Sequence, residues 1–187
     1  MPKIKTALIS VYNKSGIANF SRRLSELGID IISTGGTSAL LNEEGISHKQ
    51  VEDITDFPER LEGRVKTLHP NIFMGILALR NQESHLKTLS EHGLEGIDLA
   101  VGNLYPFVET INKKDITALE ALEQIDIGGV SLLRAAAKNY HDVVAVTSPE
   151  EYENILRTLF ENGNTIPEEV SLKSAAEVFA TTSSYDW

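Results

Sequence analysis

The sequence contains no cysteine among its 187 residues. This absence excludes a thiol nucleophile, a dithiol redox pair and any metal site built from thiolates. A chain of this length buries roughly 70% of the surface that its unfolded form exposes, so it can fold without a disulfide or a structural metal. The protein therefore has to be stabilised by an ordinary apolar core.

The chain also lacks an apolar run of the roughly 20 residues that a membrane-spanning helix needs. No signal peptide precedes the first strand-like segment, because Met1-Pro2-Lys3 leads directly into it. The formal net charge is -10, and an acidic surface repels nucleic acid and anionic membranes. We therefore expect a cytoplasmic protein without nucleic-acid or membrane partners, in which an anionic substrate requires a local cationic pocket.

Histidine is scarce and predicts no metal centre. No H-x-x-x-H or histidine–carboxylate spacing among the five histidines suggests a metal site. A G-x-S-x-G sequence is also missing, so a serine-hydrolase nucleophile is not supported. Of the histidines, only His69 lies within a candidate site.

Short apolar segments alternate with helical patterns along the chain. The predicted strands are 4–11, 29–33, 48–53, 97–104 and 143–146, and 72–79 is predicted as a strand or a buried segment. The predicted helices are 17–27, 38–44, 82–91, 118–125, 130–139, 149–162 and 167–183. This alternation is typical of βαβ units, so we predict an α/β fold with a mainly parallel sheet flanked by helices.

In such sheets, ligands bind outside the carboxyl ends of the strands. The loops to consult are therefore 12–16, 34–37, 55–70 and 103–106, each of which follows a predicted strand. The 55–70 segment has no clear periodicity, and a loop of that length within a compact domain is usually functional or mobile.

The octet Gly63-Arg64-Val65-Lys66-Thr67-Leu68-His69-Pro70 concentrates positive charge in an acidic chain. Arg64 and Lys66 are two residues apart, so in an extended segment both side chains point the same way. Gly63 allows close backbone approach to a ligand, and Pro70 keeps His69 out of helical angles. The octet predicts a site for an anionic small molecule, the alternative being a solvated basic loop.

A second candidate is Thr34-Gly35-Gly36-Thr37, which lies between a predicted strand and a predicted helix. Its glycine N–H groups, two hydroxyls and the positive end of the helix suit a phosphate. It matches neither the dinucleotide nor the triphosphate fingerprint, and alone it is more simply a tight turn. Ser10 and Lys14, which follow the neighbouring strand, favour the phosphate interpretation and a compact phosphomonoester.

Two further motifs each have a structural and a functional interpretation. Asn103 and Tyr105 share one face at the end of the strongest predicted strand, where Pro106 restricts Tyr105 to extended angles. Asp126 precedes a predicted helix that carries Lys138. Taken singly, Asp126 is explained as a helix N-cap and Lys138 as a cation favoured by the helix dipole.

Taken together, these segments resemble the inosine monophosphate (IMP) cyclohydrolase domain of the bifunctional purine-biosynthesis proteins. The resemblance spans essentially the whole chain and is carried by Ser10–Gly16, Ser33–Thr37 and the runs GRVKTLHP, NLYPF and QIDIGG…LLRAAAKN. It implies a methylglyoxal-synthase-like three-layer fold. It also implies closure of 5-formamidoimidazole-4-carboxamide ribonucleotide to IMP with loss of water, without a cofactor or a metal.

The resemblance also implies a domain arrangement. In that family a formyltransferase domain follows the cyclohydrolase domain. Residues 1–187 are therefore expected to be the cyclohydrolase domain alone, with the C-terminal formyltransferase domain absent. The abrupt end at Tyr185-Asp186-Trp187, directly after a helical pattern, agrees with a domain taken from a longer protein.

By the same resemblance, the residues nearest the chemistry are Lys66, Tyr105, Asp126 and Lys138. The substrate-binding residues would be Ser10, Tyr12, Asn13, Lys14, Thr34, Gly35, Gly36, Thr37, Arg64, Val65, Lys66, Thr67, Gly102, Asn103, Asp126, Ile127 and Gly128. Tyr12 departs from the family pattern, in which a small polar residue is common, and this leaves its side-chain role open.

We hypothesise that Lys66 stabilises the formyl oxygen, that Asp126 orients the carboxamide, and that Lys138 and Tyr105 transfer protons. A straight helix from 130 to 138 would separate its ends by roughly 12 Å. Asp126 and Lys138 then meet one substrate only if the helix lies alongside it or a second subunit contributes, and the family resemblance favours a homodimer. The alternative functions on this fold are a methylglyoxal synthase and a non-catalytic nucleotide-sensing module.

Overall fold

The computed structural model of the chain describes residues 3–105, 107–112 and 116–185. Its strands are β1 (Thr6–Val11), β2 (Asp30–Ser33), β3 (Lys49–Gln50), β4 (Leu99–Asn103) and β5 (Val144–Val146). Its α-helices are α1 (Ile17–Glu26), α2 (Gly35–Glu43), α3 (Val51–Thr55), α4 (Pro70–Leu77), α5 (Glu83–Glu91), α6 (Phe107–Ile111), α7 (Ala118–Leu122), α8 (Gly128–Lys138), α9 (Tyr152–Glu161) and α10 (Glu168–Tyr185). The expected effect of Pro106 on Tyr105 and the expected end at Asp186-Trp187 lie outside the described residues.

The described strands form one sheet in the order β3-β2-β1-β4-β5, and every neighbouring pair is parallel. From β1 the chain adds β2 and β3 on one side, then crosses to add β4 and β5 on the other. The predicted α/β fold with a parallel sheet and flanking helices is therefore confirmed.

Both faces of the sheet are buried, which gives the molecule three layers. Along β1, Ala7, Ile9 and Val11 pack into one apolar cluster with residues of α1, α2 and α9. Leu8 points to the other face and packs with residues of α3, α4, α8 and α10. This alternation follows from the two-residue period of a strand, and a parallel sheet requires both faces to be covered.

For segment 72–79, which was predicted as a strand or a buried segment, only the second alternative agrees with the structure. The chain is helical from Pro70 to Leu77, with Ile72 and Ile76 buried. Pro70 takes the first helical position, where its missing N–H costs nothing, and the Nδ1 atom of His69 accepts a hydrogen bond from the N–H of Asn71. Apolar residues buried on a short helix gave the same pattern as a buried strand.

The predicted third strand, 48–53, is mostly helix. Only Lys49 and Gln50 pair with β2, and α3 begins at Val51. Gln50 and Asp53 form a reciprocal capping box, in which the Asp53 carboxylate accepts from the Gln50 N–H at 2.8 Å. Capping chemistry therefore ends the strand after two residues.

The strand order creates a switch point between β1 and β4, where consecutive connections leave in opposite directions. The crevice outside the carboxyl ends at such a point is where open α/β sheets bind ligands. The loops that follow β1, β2 and β4 meet there. Within the part of the chain described, no helix combines the length and apolar character that crossing a bilayer would require.

The opposite edge of the sheet is held by Arg80. Its guanidinium donates hydrogen bonds to the carbonyls of Ala78, Gly75 and Ile97, and it lies 3.7 Å from the carboxylate of Asp98. The Arg80 side chain is largely buried, so these carbonyls have little access to water. Arg80 therefore fastens the end of α4 to the start of β4.

Replacing Arg80 with alanine should lower the free energy of unfolding by about 2–3 kcal/mol, because several partly buried carbonyls lose a charged donor. Urea denaturation followed by circular dichroism measures this change. Lys87→Ala is the matched control, since Lys87 is exposed and pairs only with Glu91 along one helix face. It should change the free energy of unfolding by less than about 0.5 kcal/mol. Equal effects of the two substitutions would contradict the structural role of Arg80.

Candidate active site

Two lysine side chains meet above the first turn of α2. The Nζ atom of Lys66 lies 2.7 Å from the position that a Cβ atom on Gly35 would occupy, and the Cε atom of Lys14 lies 3.9 Å from the corresponding position on Gly36. Gly35 has φ of +55°, so both its backbone conformation and the neighbouring ammonium group favour glycine. The positive end of α2 adds to the charge of the two lysines.

The charge of Lys14 is destabilised in this arrangement. Burial and, secondly, the nearby charge of Lys66 lower the pKa of Lys14 below its ordinary value. Its ammonium group donates to the carbonyls of Val11 and Tyr12 within its own loop. An anion bound beside both lysines would relieve the repulsion between them.

Thr34 is the N-cap residue of α2 and Thr37 lies in its first turn, and their hydroxyls have different roles. Thr34 is 2% exposed, and its hydroxyl finds no hydrogen-bond partner within the described part of the structure. The hydroxyl of Thr37 exchanges hydrogen bonds with the N–H and the carbonyl of Val11, each at 3.1 Å. Thr37 therefore fastens α2 to the end of β1, and Thr34 is the hydroxyl that remains available to a ligand.

The two cations of the octet do not point to one partner, contrary to the expectation for an extended segment. Arg64 forms an ion pair with Glu123, whereas Lys66 lies 3.6 Å from a carboxylate oxygen of Glu59. The reason is local, because Arg64 has right-handed helical angles at the end of a 3₁₀ turn over Leu61–Gly63. Only Lys66 is directed towards α2.

Asn103 joins the loops that follow β1 and β4. Its side-chain carbonyl accepts hydrogen bonds from the N–H groups of Tyr12 and Asn13 at 2.8 and 2.7 Å, and its amide donates to the carbonyl of Asn13. The rings of Tyr12 and Tyr105 meet edge to face, with centroids 5.0 Å apart. The Asn103 side chain therefore holds the two loops together at the switch point. Tyr12 and Tyr105 lie together on one side of the site.

Asp126 lies in the turn before α8, and its carboxylate accepts a hydrogen bond of 2.7 Å from the N–H of Gly129. Burial raises the pKa of Asp126, while hydrogen bonds from the N–H groups of Gly129 and Tyr105 and the charge of Lys66 oppose that rise. Asp126 thus acts both as a helix cap and as a carboxylate within electrostatic reach of Lys66. The two interpretations of this residue are not exclusive.

Tyr105 completes the group of titratable side chains. Burial, followed by the negative charges of Asp126, Tyr12 and Glu59 when ionised, raises the pKa of its phenol. The phenol therefore stays protonated at neutral pH and is available as a hydrogen-bond donor. The charge of Lys66 acts on both Lys14 and Asp126, and the charge of Asp126 acts on Tyr105, so the four groups form a chain of electrostatic neighbours at the carboxyl edge of the sheet.

The remaining predicted binding residues lie along the same crevice. Ser10 pairs with Gly102 across β1 and β4, and a Cβ atom on Gly102 would come within 3.3 Å of the Ser10 carbonyl. Thr67 is buried, and its hydroxyl lies 3.2 Å from the Cβ position of Gly128. The others are Val65, whose backbone pairs with Arg60, and Ile127, which is exposed at the N-cap of α8.

Lys138 is not part of this group within one chain. It is exposed at the last residue of α8, about 15 Å along the helix axis from Gly128. Because α8 leads into β5, its end lies at the amino edge of the sheet, opposite the crevice. A helix that connects parallel strands runs back across the sheet, and this places its two ends at opposite edges.

Sequence reasoning missed three residues that the structure connects to the site. Glu59 and Glu123 neutralise Lys66 and Arg64, and the hydroxyl of Tyr185 bonds to the backbone of Asp126. None of the three stands in a motif with its partner, and Tyr185 is 59 residues from Asp126.

No three described histidine, aspartate or glutamate side chains are placed to hold a metal ion together.

Comparison with known families divides the chain into two matched segments. The sequence model of the MGS-like domain matches residues 16–131, and that of the AICARFT/IMPCHase bienzyme matches residues 136–187. The first segment contains most of the crevice. The second contains only the last three residues of α8, together with β5, α9 and α10.

Two individual proteins show the same relationship. The chain is 52% identical over 182 residues to the bifunctional purine biosynthesis protein PurH of Thermoanaerobacter sp. (strain X514), and the match covers 97% of this chain but 36% of that protein. A crystal structure of ForH superposes with a TM-score of 0.88 at 33% identity, covering 97% of this chain and 93% of ForH. The chain therefore belongs to the MGS-like domain family, and its C-terminal segment matches the AICARFT/IMPCHase bienzyme model.

Proposed function

We propose that the chain is an IMP cyclohydrolase, which closes 5-formamidoimidazole-4-carboxamide ribonucleotide to IMP in the last step of purine synthesis. The main support is the meeting of Lys14 and Lys66 above the first turn of α2, with Asp126 within electrostatic reach of Lys66 and Tyr105 within reach of Asp126, at the switch point of the sheet. The 52% identity to PurH supports the same assignment. A cytoplasmic location belongs to the proposal.

The phosphate of the nucleotide would bind at the start of α2. Lys14 and Lys66 supply two positive charges there, the helix supplies its N-terminal N–H groups, and Thr34 supplies a buried hydroxyl. A phosphomonoester carries nearly two negative charges at neutral pH, so it would relieve the repulsion between the lysines. This anchoring fixes the base relative to Tyr105 and Asp126.

Ring closure forms a bond between the carboxamide nitrogen and the formyl carbon. The formyl oxygen gains negative charge in that step. It then takes up two protons, equivalent to one lost from the carboxamide nitrogen and one lost from the formamide nitrogen, and leaves as water while the bond between the formyl carbon and the formamide nitrogen becomes double. Lys66 is proposed to stabilise the developing charge, Asp126 to orient the carboxamide, and Tyr105 to donate a hydrogen bond. No oxidation state changes overall, so the condensation needs no redox cofactor.

We also propose that the chain works as a homodimer and that a formyltransferase domain accompanies it in the full-length protein. PurH is bifunctional, and the chain spans 36% of its length. Lys138 can take part in proton transfer only if a second copy brings it to the crevice, because within one chain it lies at the opposite edge.

Lys66→Ala should lower kcat by at least about 100-fold, because the oxyanion loses a charged donor in a partly buried site. The measurement is the ultraviolet absorbance of the hypoxanthine ring formed from the formylated ribonucleotide. Lys87→Ala removes the same charge from the exposed face of α5 and should leave turnover unchanged. Turnover of Lys66→Ala near the wild-type rate would remove Lys66 from the mechanism. Tight IMP binding by a wild-type protein without turnover would instead indicate a nucleotide-sensing module.

The affinity for IMP should fall as the pH rises through the lowered pKa of Lys14. A bound phosphate favours the protonated amine, so the complex binds a proton that the free protein loses above that pKa. Isothermal titration calorimetry across the alkaline range measures this loss. Lys14→Arg keeps its positive charge throughout that range, so the decline should move to higher pH or disappear. An unchanged profile would show that Lys14 does not contact the phosphate.

Mixing Lys138→Ala and Asp126→Ala proteins tests whether a site is shared between two subunits. Each variant alone should be inactive, and random exchange should restore roughly a quarter of wild-type activity, since half the dimers would hold one intact site of two. Activity that stays absent after verified exchange argues against a shared site. Full activity of Lys138→Ala alone would remove Lys138 from the reaction.

A further inference from the structure

The hydroxyl of Tyr185 bridges two backbone groups in the turn that carries Asp126. It accepts a hydrogen bond of 2.9 Å from the N–H of Asp126 and donates one of 2.8 Å to the carbonyl of Gln124. A single phenol therefore satisfies both sides of this turn. Tyr185 lies at the end of α10, so the contact joins two distant parts of the chain.

The orientation of the Asp126 carboxylate depends on this turn. The carboxylate bonds to the N–H of Gly129 at 2.7 Å, and a Cβ atom on Gly129 would lie 2.5 Å from one of its oxygens. This close fit leaves the carboxylate little freedom once the backbone is fixed. The start of α8 fixes the turn on one side, and the hydroxyl of Tyr185 fixes it on the other.

The ring of Tyr185 also contacts the loop that carries Tyr105. Its centroid lies 6.4 Å from that of Phe107, and the rings are tilted by 57°. The N–H of Phe107 in turn donates a 2.8 Å hydrogen bond to the carbonyl of Tyr105. Tyr185 thus contacts both loops that carry the proposed polar groups of the reaction.

The helix that presents Tyr185 is firmly packed. Buried residues of α10, including Ser174, Ala175 and Val178, lie against α8 and β5. The hydroxyl of Ser171 donates to the carbonyl of Tyr140 at 2.6 Å, so α10 is also joined to the end of α8 by a hydrogen bond. A tyrosine on such a helix holds its partner turn in a fixed position.

We infer that Tyr185 is a positioning residue for ring closure, holding the Asp126 carboxylate against the substrate carboxamide by way of the 124–126 backbone. The inference rests on the proposed function for its effect on catalysis. Its effect on Asp126 itself is independent of that function. Tyr185 lies in the segment that matches the AICARFT/IMPCHase model, outside the segment that matches the MGS-like domain.

Tyr185→Phe tests the inference because it removes only the hydroxyl. We expect kcat to fall about tenfold while KM changes less than about threefold, since a positioning residue acts on the transition state more than on binding. The looser turn should admit water to Asp126 and reduce the burial that raises its pKa. The acid limb of the pH–rate profile should therefore shift to lower pH.

A second readout needs no turnover. Carbon-13 NMR titration of the aspartate carboxyls, with the Asp126 signal assigned by its loss in Asp126→Asn, should show a lower Asp126 pKa in Tyr185→Phe than in the wild type. Tyr140→Phe makes the same chemical change near the far end of α8 and should leave kcat, the acid limb and the Asp126 pKa as in the wild type.

The outcomes separate the two proposals. A wild-type protein without turnover would overturn the proposed function, and the NMR titration would still decide the role of Tyr185. An Asp126 pKa unchanged by Tyr185→Phe would overturn the positioning inference, whether or not kcat falls. A lowered pKa with unchanged kcat would confine Tyr185 to the structure of the turn and would likewise reject a catalytic effect.

Discussion

The candidate site depends on holding two ammonium groups together above the first turn of one helix. Lys14 and Lys66 repel each other there, and burial disfavours the charge of Lys14 further. The helix offers its positive end to the same space, and Glu59 offsets only part of the total. This local excess of positive charge is costly because the two ammonium groups repel each other and Lys14 is partly buried, and a bound anion would offset that cost. The electrostatics therefore point to a compact ligand with more than one negative charge.

The fold makes this arrangement possible because the residues proposed for the chemistry and several of the residues that hold helices to strands lie at opposite edges of the sheet. Strands buried on both faces give rigid ends, and the strand order brings the loops after β1 and β4 side by side. Side chains such as Arg80 and Asn139 bond to backbone carbonyls at the opposite edge, where they hold helices to strands. The loops at the carboxyl edge can then hold a glycine at positive φ and cations that are only partly neutralised without loss of the core.

The two family models match different parts of the chain. Lys66, Tyr105 and Asp126 belong to the segment that matches the MGS-like domain, whereas Lys14 lies two residues before it. A solved structure of ForH shares the fold of the chain with a TM-score of 0.88. The segment that matches the AICARFT/IMPCHase model contributes α10, whose last described residue reaches back to the turn of Asp126. Residues of both matched segments therefore contribute to the candidate site.

The sequence alone determined the α/β class, the loops in which to search and the family, because strand period, turn residues and long motifs are local properties. It did not determine whether a short apolar segment is a strand or a helix where capping residues decide between them. Pro70 begins such a helix, so the segment that resembled a strand is α4. It also could not show that Arg64 turns away to Glu123 or that Tyr185 holds Asp126. These contacts join residues 59 apart in the chain, and only strand register and helix packing bring such groups within hydrogen-bond distance.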